Sequence, residues 1–95
     1  MSESIATLKP SERFDFNSYR QFRDIYEPAL DNPKIKKIIV DLSNVQYIDS
    51  AALGVMLLLR DKAKALGKQV DIANPKGAVK EVLEIANFNK LFTTY

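Results

Sequence analysis

The sequence contains no cysteine and no histidine. The absence of cysteine excludes disulfides, thiolate nucleophiles and cysteine-liganded zinc. The absence of histidine removes the general base and metal ligand that proteins use most often. Glycine is also scarce: Gly54, Gly67 and Gly77 stand singly, so no glycine-rich loop that would cradle a phosphate is visible. We therefore expect no metal and no cofactor.

Charge and hydropathy narrow the remaining classes of protein. The 14 basic and 12 acidic residues give a net charge of +2, a balance that does not indicate nucleic-acid binding. The chain of 95 residues suits one globular domain over residues 1–95. The longest apolar block, residues 51–59, is much shorter than the roughly 20 residues of a membrane-spanning helix. Residues 1–11 lack the pattern of a signal peptide, so we expect a cytoplasmic protein without direct membrane insertion.

The hydrophobic pattern predicts alternating strands and helices. Strands are expected at four places: residues 4–8, 13–16, 36–42 and 68–73, the third being buried on both faces. A first helix should follow cap residues Asn17 and Ser18 and be kinked or ended early by Pro28. A second should cover residues 50–66, and a third should follow Asn74-Pro75. The short connections imply right-handed crossovers and a parallel pair of strands within a small mixed sheet.

The helix that begins near Ser50 has two distinct faces, because successive residues are about 100° apart. Its core face carries apolar residues at helical spacing: Ala52, Val55, Met56, Leu59, Ala63 and Leu66. The opposite face, with Leu58 at its edge, carries Ser50, Leu53, Gly54, Leu57, Asp61 and Lys64. The glycine between the two leucines leaves room for close approach. Two interpretations are open. Either the helix is buried on two sides, for example by the C-terminal tail, or this face is an exposed apolar patch that docks a partner.

Ser50 stands at the junction that leads into this helix. Serine is a favoured N-cap, and capping alone, typically worth about 1 kcal/mol, would explain it. The position also suits phosphorylation, since a helix N-terminus offers free N–H donors and a positive dipole end to a phosphate. Like-charge repulsion from Asp49 opposes the phosphate. A phosphate of about −1.5 to −2 charges beside an apolar docking face should repel a partner that fits the neutral form.

Residues 38–59, IIVDLSNVQYIDSAALGVMLLL, resemble the central signature of STAS domains, the anti-sigma factor antagonist family. In that family a hydrophobic strand ends in Asp-Leu-Ser, and a short loop leads to Asp-Ser-Ser-Gly-Leu-Gly. The RFDF of residues 13–16 resembles the family's second strand and its aspartate, and residues 79–92 resemble its last helix and tail. The resemblance implies an α/β, STAS-like fold, with a small mixed β-sheet of four to five strands and helices packed largely on one side.

The resemblance also implies a role in a partner-switching pathway, as a binding protein and not an enzyme. In the family, an unphosphorylated antagonist binds an anti-sigma factor that is also a serine kinase, phosphorylation of the motif serine releases it, and a PP2C-type phosphatase restores it. The implied phosphorylation site is Ser50, and the implied partner-binding residues are Asp49, Ser50, Leu53, Gly54 and Leu57. The chain departs from the motif at Ala51-Ala52, where the family has Ser-Gly, so Ser50 has no neighbouring serine as a fallback.

Other interpretations remain beside this one. The alternative function is a constitutive STAS scaffold subunit of a membrane lipid ABC transporter, in which Ser50 only caps the helix. Weak nucleotide binding ranks below both, because no phosphate cradle is visible. An exposed sheet edge leaves a weak homodimer open. Asp41 and Asp49 are expected to serve the turn after residue 42 and the helix start, respectively, rather than to form a catalytic pair.

Overall fold

The computed structural model describes residues 4–95, which form six strands and three α-helices. In chain order these elements are β1 (Ser4–Leu8), β2 (Arg13–Phe14), α1 (Tyr19–Asp31), β3 (Ile35–Asp41), β4 (Tyr47–Ile48), α2 (Ser50–Ala65), β5 (Gln69–Ala73), α3 (Gly77–Ile85) and β6 (Thr93–Thr94). A short 3-10 helix at Phe16–Ser18 leads into α1, and another at Phe88–Lys90 leads out of α3. None of the helices in this part of the chain combines the length and apolarity needed to cross a bilayer.

The main sheet has the strand order β1-β3-β5-β6, and β2 and β4 pair separately as a two-residue ribbon. The predicted α/β class is therefore confirmed, but the sheet is not mixed: every strand pair within residues 4–95 is parallel. The reason lies in the connections. One α-helix lies between each strand of the main sheet and the next strand along that sheet. Each helical crossover carries the chain back to the end of the sheet at which the previous strand began, so the next strand runs in the same direction.

The core lies on one face of the main sheet. Ile38 and Val40 of β3 are fully buried, and their register partners in β5, Val70 and Ile72, are buried beside them. Ile39 points to the opposite face, as alternation along a strand requires, and it is only partly buried. The apolar run in β3 thus marks a central strand, as predicted, although full burial on both faces was wrong.

The helix α1 does not end early at Pro28 but continues to Asp31. Its last turn is stabilised from outside by Lys68, which follows α2. The Lys68 ammonium group donates to the carbonyl oxygens of Ala29, Asn32 and Ile35 at 3.3, 2.6 and 2.8 Å. Ala29 lies in the last turn of α1, Asn32 caps that helix and Ile35 begins β3, so Lys68 ties the end of α1 to the start of β3.

The helix α3 begins at Gly77, so the predicted cap at Asn74 is wrong. Asn74 instead has a left-handed backbone, φ 58°, which asparagine tolerates better than most residues, and its amide donates to Asp41 Oδ1 at 3.3 Å. Asp41 also accepts from the Ser43 N–H at 3.0 Å, as its place before the turn predicted. This backbone N–H is the main reason why the pKa of the Asp41 carboxyl lies below its ordinary value, against the opposing effect of burial.

Candidate functional site

The candidate site lies where α2 begins, beside the β2–β4 ribbon. Asp49 is the residue that caps α2: it has an extended backbone, and its Oδ1 accepts from the Ala52 N–H at 2.9 Å. Its Oδ2 accepts from the Phe16 N–H at 3.1 Å. One carboxylate therefore joins the first turn of α2 to the 3-10 helix that precedes α1. The interpretation of Ser50 as the cap is wrong, because Asp49 is the last residue outside the helix and already bonds the N–H groups that a cap serves.

Ser50 is the first helical residue, and it is exposed. Its hydroxyl has no hydrogen-bond partner among residues 4–95. The backbone N–H groups of Ser50 and Ala51 likewise have no acceptor in the part of the chain that the structure describes, whereas those of Ala52 and Leu53 are bonded to Asp49. Ser50 thus presents a free hydroxyl next to two free donors at the positive end of a helix dipole.

The backbone around Phe16 is held in place by Asp15, the aspartate of the RFDF segment. Its Oδ1 accepts from the Asn17 N–H at 2.9 Å, while its own N–H donates to Ser18 Oγ at 2.8 Å. Burial acts to raise the pKa of the Asp15 carboxyl, but hydrogen bonds from Arg13, Asn17 and Ser18 outweigh it and place the pKa below its ordinary value. Asp15 and Asp49 together fix the turn that displays the Phe16 side chain.

The two leucines predicted to face a partner are less accessible than the sequence suggested. Leu53 and Leu57 are half-buried and pack against the core. The C-terminal tail also reaches α2, because Arg60 Nε donates to the Leu91 carbonyl at 2.9 Å. The interpretation that α2 is buried on two sides therefore applies to part of the helix. Leu66, which was predicted to be core, is 57% exposed beyond the end of α2.

An open groove of about 540 Å³ runs along a different side of α2. Residues of the 3-10 helix and the first turn of α1 face residues of the first three turns of α2 across it: Phe16, Asn17, Tyr19, Arg20, Ala51, Gly54, Val55 and Leu58. Phe16 is 75% exposed and Leu58 is 38% exposed, so both apolar side chains project into solvent at this groove. Gly54, which the motif had singled out, lies in its wall. We call this feature the α1–α2 groove.

The five residues predicted to bind a partner all lie at the cap or in the first two to three turns of α2: Asp49, Ser50, Leu53, Gly54 and Leu57. Ser50 and Gly54 are exposed, whereas Leu53 and Leu57 are half-buried. The structure adds Phe16 and Arg20, which sequence reasoning missed. Phe16 lay in a segment, residues 13–16, that was interpreted as a strand, which would place Phe14 and Phe16 on the same face. No pattern in the sequence indicates that it would be exposed beside a helix that begins more than 30 residues later.

The comparison with known proteins decides the family. A model of the STAS domain matches residues 1–95. The chain belongs to the STAS domain family. A STAS-domain containing protein of Pseudomonas aeruginosa (strain UCBPP-PA14) is 43% identical over 86 residues, covering 90% of this chain and 83% of the relative. Membership therefore rests on a match that spans the site as well as the sheet.

Solved structures share the fold of this STAS domain. The structure of a candidate anti-sigma factor antagonist from Thermotoga maritima matches with a TM-score of 0.84 at 22% identity, covering 100% of this chain and 81% of the other. The anti-sigma factor antagonist SpoIIAA in its unphosphorylated form matches with a TM-score of 0.69 at 16% identity, covering 90% and 77%. The phosphorylated form of Bacillus SpoIIAA matches with a TM-score of 0.73 at 15% identity, covering 100% and 86%. These likenesses establish a SpoIIAA-like fold.

Proposed function

We propose that this STAS domain is a non-enzymatic regulatory binding protein of the anti-sigma factor antagonist type. In its unmodified form it binds a serine kinase that also acts as an anti-sigma factor. Phosphorylation of Ser50 releases that partner, and a PP2C-type phosphatase restores binding. The observation that carries the proposal is the exposed Ser50 hydroxyl, which has no structural role within residues 4–95 because Asp49 supplies the cap.

The surroundings of Ser50 suit a phosphate. The unbonded N–H groups of Ser50 and Ala51 and the positive end of the α2 dipole favour an anion, and Asp49 opposes it. The attraction by the N–H groups and the helix dipole offsets the repulsion by the Asp49 carboxylate. A phosphate on Ser50 should therefore change the stability of the fold little. It would, however, add about −1.5 to −2 charges to a surface that is otherwise a hydroxyl beside an apolar groove. SpoIIAA, which has this fold, has been solved in unphosphorylated and phosphorylated forms.

The alternative function, a constitutive scaffold for a membrane lipid transporter, gives Ser50 only the role of a helix cap. Asp49 occupies that role. The scaffold hypothesis therefore leaves an exposed serine beside an apolar groove without an explanation, and we favour the switch. The two hypotheses differ in what they predict for protein taken from its native cell: a phosphorylated fraction for the switch, and a stable membrane-bound complex without one for the scaffold.

Phosphopeptide mapping of protein isolated from its native cell tests the modification directly. The expected result is one phosphorylated residue, Ser50. Binding to the kinase partner is then compared for Ser50→Ala, which should retain the complex, and Ser50→Asp, which should abolish it while the thermal unfolding midpoint stays unchanged. Ser4→Asp is the matched control, since Ser4 is also exposed but lies at the N-terminal end of β1. Equal binding of Ser50→Ala and Ser50→Asp would rule out the switch.

A further inference from the structure

Gly54 lies within α2, and no contact inside the domain explains why this position is glycine. Glycine is among the least favourable residues in a helix interior, because it leaves the backbone with the most freedom to lose. A Cβ atom built at Gly54 meets nothing within 4 Å, so no neighbouring atom of the domain requires the missing side chain. Its backbone is also regular helix, unlike that of Gly67 and Gly77, which have positive φ. The space above Gly54 is open and faces outward.

The walls beside Gly54 indicate what would fill that space. Phe16 and Leu58 extend apolar side chains into solvent at the groove. Ala51, Gly54 and Leu58 stand on one stripe of α2 at i, i+3 and i+7, which spans about 10 Å. Two turns of a partner helix fit such a length, and a glycine lets a second backbone come close.

Arg20 adds a charge to this apolar groove. It lies in the groove wall, is exposed, and forms no ion pair with any of residues 4–95. Other arginines in the chain are engaged: Arg13 with Asp15, Arg23 with Glu27, and Arg60 with the Leu91 carbonyl. Asp15 and Asp24 line a neighbouring surface pocket with Arg20, but neither forms an ion pair with it. The guanidinium at the rim of the apolar groove therefore remains available to a carboxylate on the partner.

We infer that the α1–α2 groove binds an amphipathic helix of the partner protein, whose apolar face packs on Phe16, Gly54 and Leu58 and whose acidic residue pairs with Arg20. This inference rests on the proposed function and specifies the chemistry of the partner. The inference also explains how a phosphate on Ser50 would weaken binding of the partner helix. The groove begins at Ala51, next to Ser50, so a dianion on Ser50 stands at the end of the groove and repels the same acidic helix that Arg20 attracts.

The partner is first obtained by placing a photo-crosslinking amino acid at position 58 in the native cell, with position 5 as the control. Ile5 is exposed to a similar degree but lies on β1. The crosslink only identifies the partner protein, and the dissociation constant of its complex with the domain decides the question. That protein is purified, and its dissociation constant is measured by calorimetry for wild type, Gly54→Ala, Gly54→Leu, Arg20→Lys and Arg20→Glu. Failure to crosslink from position 58 overturns the inference.

The expected pattern is specific to a close helix contact. Gly54→Ala should raise the melting temperature of the free domain by about 2–8 °C and yet weaken binding, since alanine favours the helix but occupies the open space. Gly54→Leu and Arg20→Glu should each weaken binding by about tenfold or more, whereas Arg20→Lys should retain most of it. Unchanged binding by Gly54→Leu would overturn the groove as the docking site.

Ser50→Asp, measured in the same titrations, separates this inference from the proposed function. If Ser50→Asp abolishes binding and Gly54→Leu does not, the switch stands and the groove inference fails. If Gly54→Leu abolishes binding and Ser50→Asp does not, the groove stands and the phosphorylation switch fails. Circular dichroism of each variant shows that it is folded before binding is interpreted.

Discussion

Removal of the Asp49 carboxylate should destabilise the domain much more than removal of the adjacent Ser50 hydroxyl. Asp49→Ala deletes the acceptor for the Ala52 N–H, a cap worth about 1 kcal/mol, and the acceptor for the Phe16 N–H, worth about 1 kcal/mol more. The free energy of unfolding should therefore fall by about 2 kcal/mol, and the melting temperature by about 8–16 °C. Ser50→Ala deletes an exposed hydroxyl without a partner in the described chain and should change that free energy by less than about 0.5 kcal/mol.

Asp49→Asn provides a graded comparison for the same pair of bonds. Asparagine keeps one acceptor oxygen for the Ala52 N–H but turns an NH₂ group toward the Phe16 N–H. The free energy of unfolding should therefore fall by about half as much as for Asp49→Ala. Urea unfolding followed by far-ultraviolet circular dichroism measures all three variants, and the helix signal serves because the chain has no tryptophan. An equal loss for Ser50→Ala and Asp49→Ala, or no loss for Asp49→Ala, would show that the cap has been assigned to the wrong residue.

Two further predictions concern the stability of the domain. Lys68→Met should lower the free energy of unfolding by about 2 kcal/mol in urea titrations, because three backbone carbonyls lose a charged donor, whereas the exposed Lys64→Met should not; equal effects would contradict the capping role. The free energy of unfolding should be nearly constant from about pH 5.5 to 7.5, since the chain has no histidine. The Asp15 and Asp41 carboxyls have a lowered pKa in the folded state, so they stabilise above the ordinary value of 3.8, and this stabilisation is lost as the pH falls through the folded-state pKa. Urea midpoints measured from acidic pH, below 3.8, up to about pH 7.5 test both statements. Asp41→Asn should reduce the loss of stability at acidic pH, and a steep change near neutral pH would refute the reasoning.

The regular elements were predictable because local and periodic signals agreed. Residues 36–42 were predicted as a strand, and β3 covers Ile35–Asp41. Residues 50–66 were predicted as a helix, and α2 covers Ser50–Ala65, with Gly67 at φ 73° just beyond its end. A run of β-branched residues, a helical repeat and a glycine stop each act within a few residues, so the sequence near them contains most of the information.

The cap of α2 and its exposed side depended on contacts that are distant in sequence. Asp49 and Ser50 are both good caps, and a one-residue difference in the helix start decides between them; the bond from Phe16 to Asp49 ties that start to a turn 33 positions away. The helical wheel placed Leu53, Gly54 and Leu57 together on the side away from the core. It could not show that Leu53 and Leu57 would pack against the core while Gly54 between them stays exposed. Which side of a helix is covered is decided by its neighbours in space, not by its own period.

The separation of the cap from the hydroxyl determines how a phosphate on Ser50 can act. Had Ser50 been the cap, a phosphate would replace a hydrogen bond that stabilises α2, and part of its effect would be on folding. Because Asp49 caps the helix, a phosphate on Ser50 meets the helix dipole and the Asp49 carboxylate, effects of opposite sign that are each about 1 kcal/mol or less at an exposed helix end. These largely cancel for the domain alone. The uncancelled effect is the new charge at the end of the α1–α2 groove, so the proposed switch works through the partner's affinity and should leave the melting temperature of the free domain nearly unchanged.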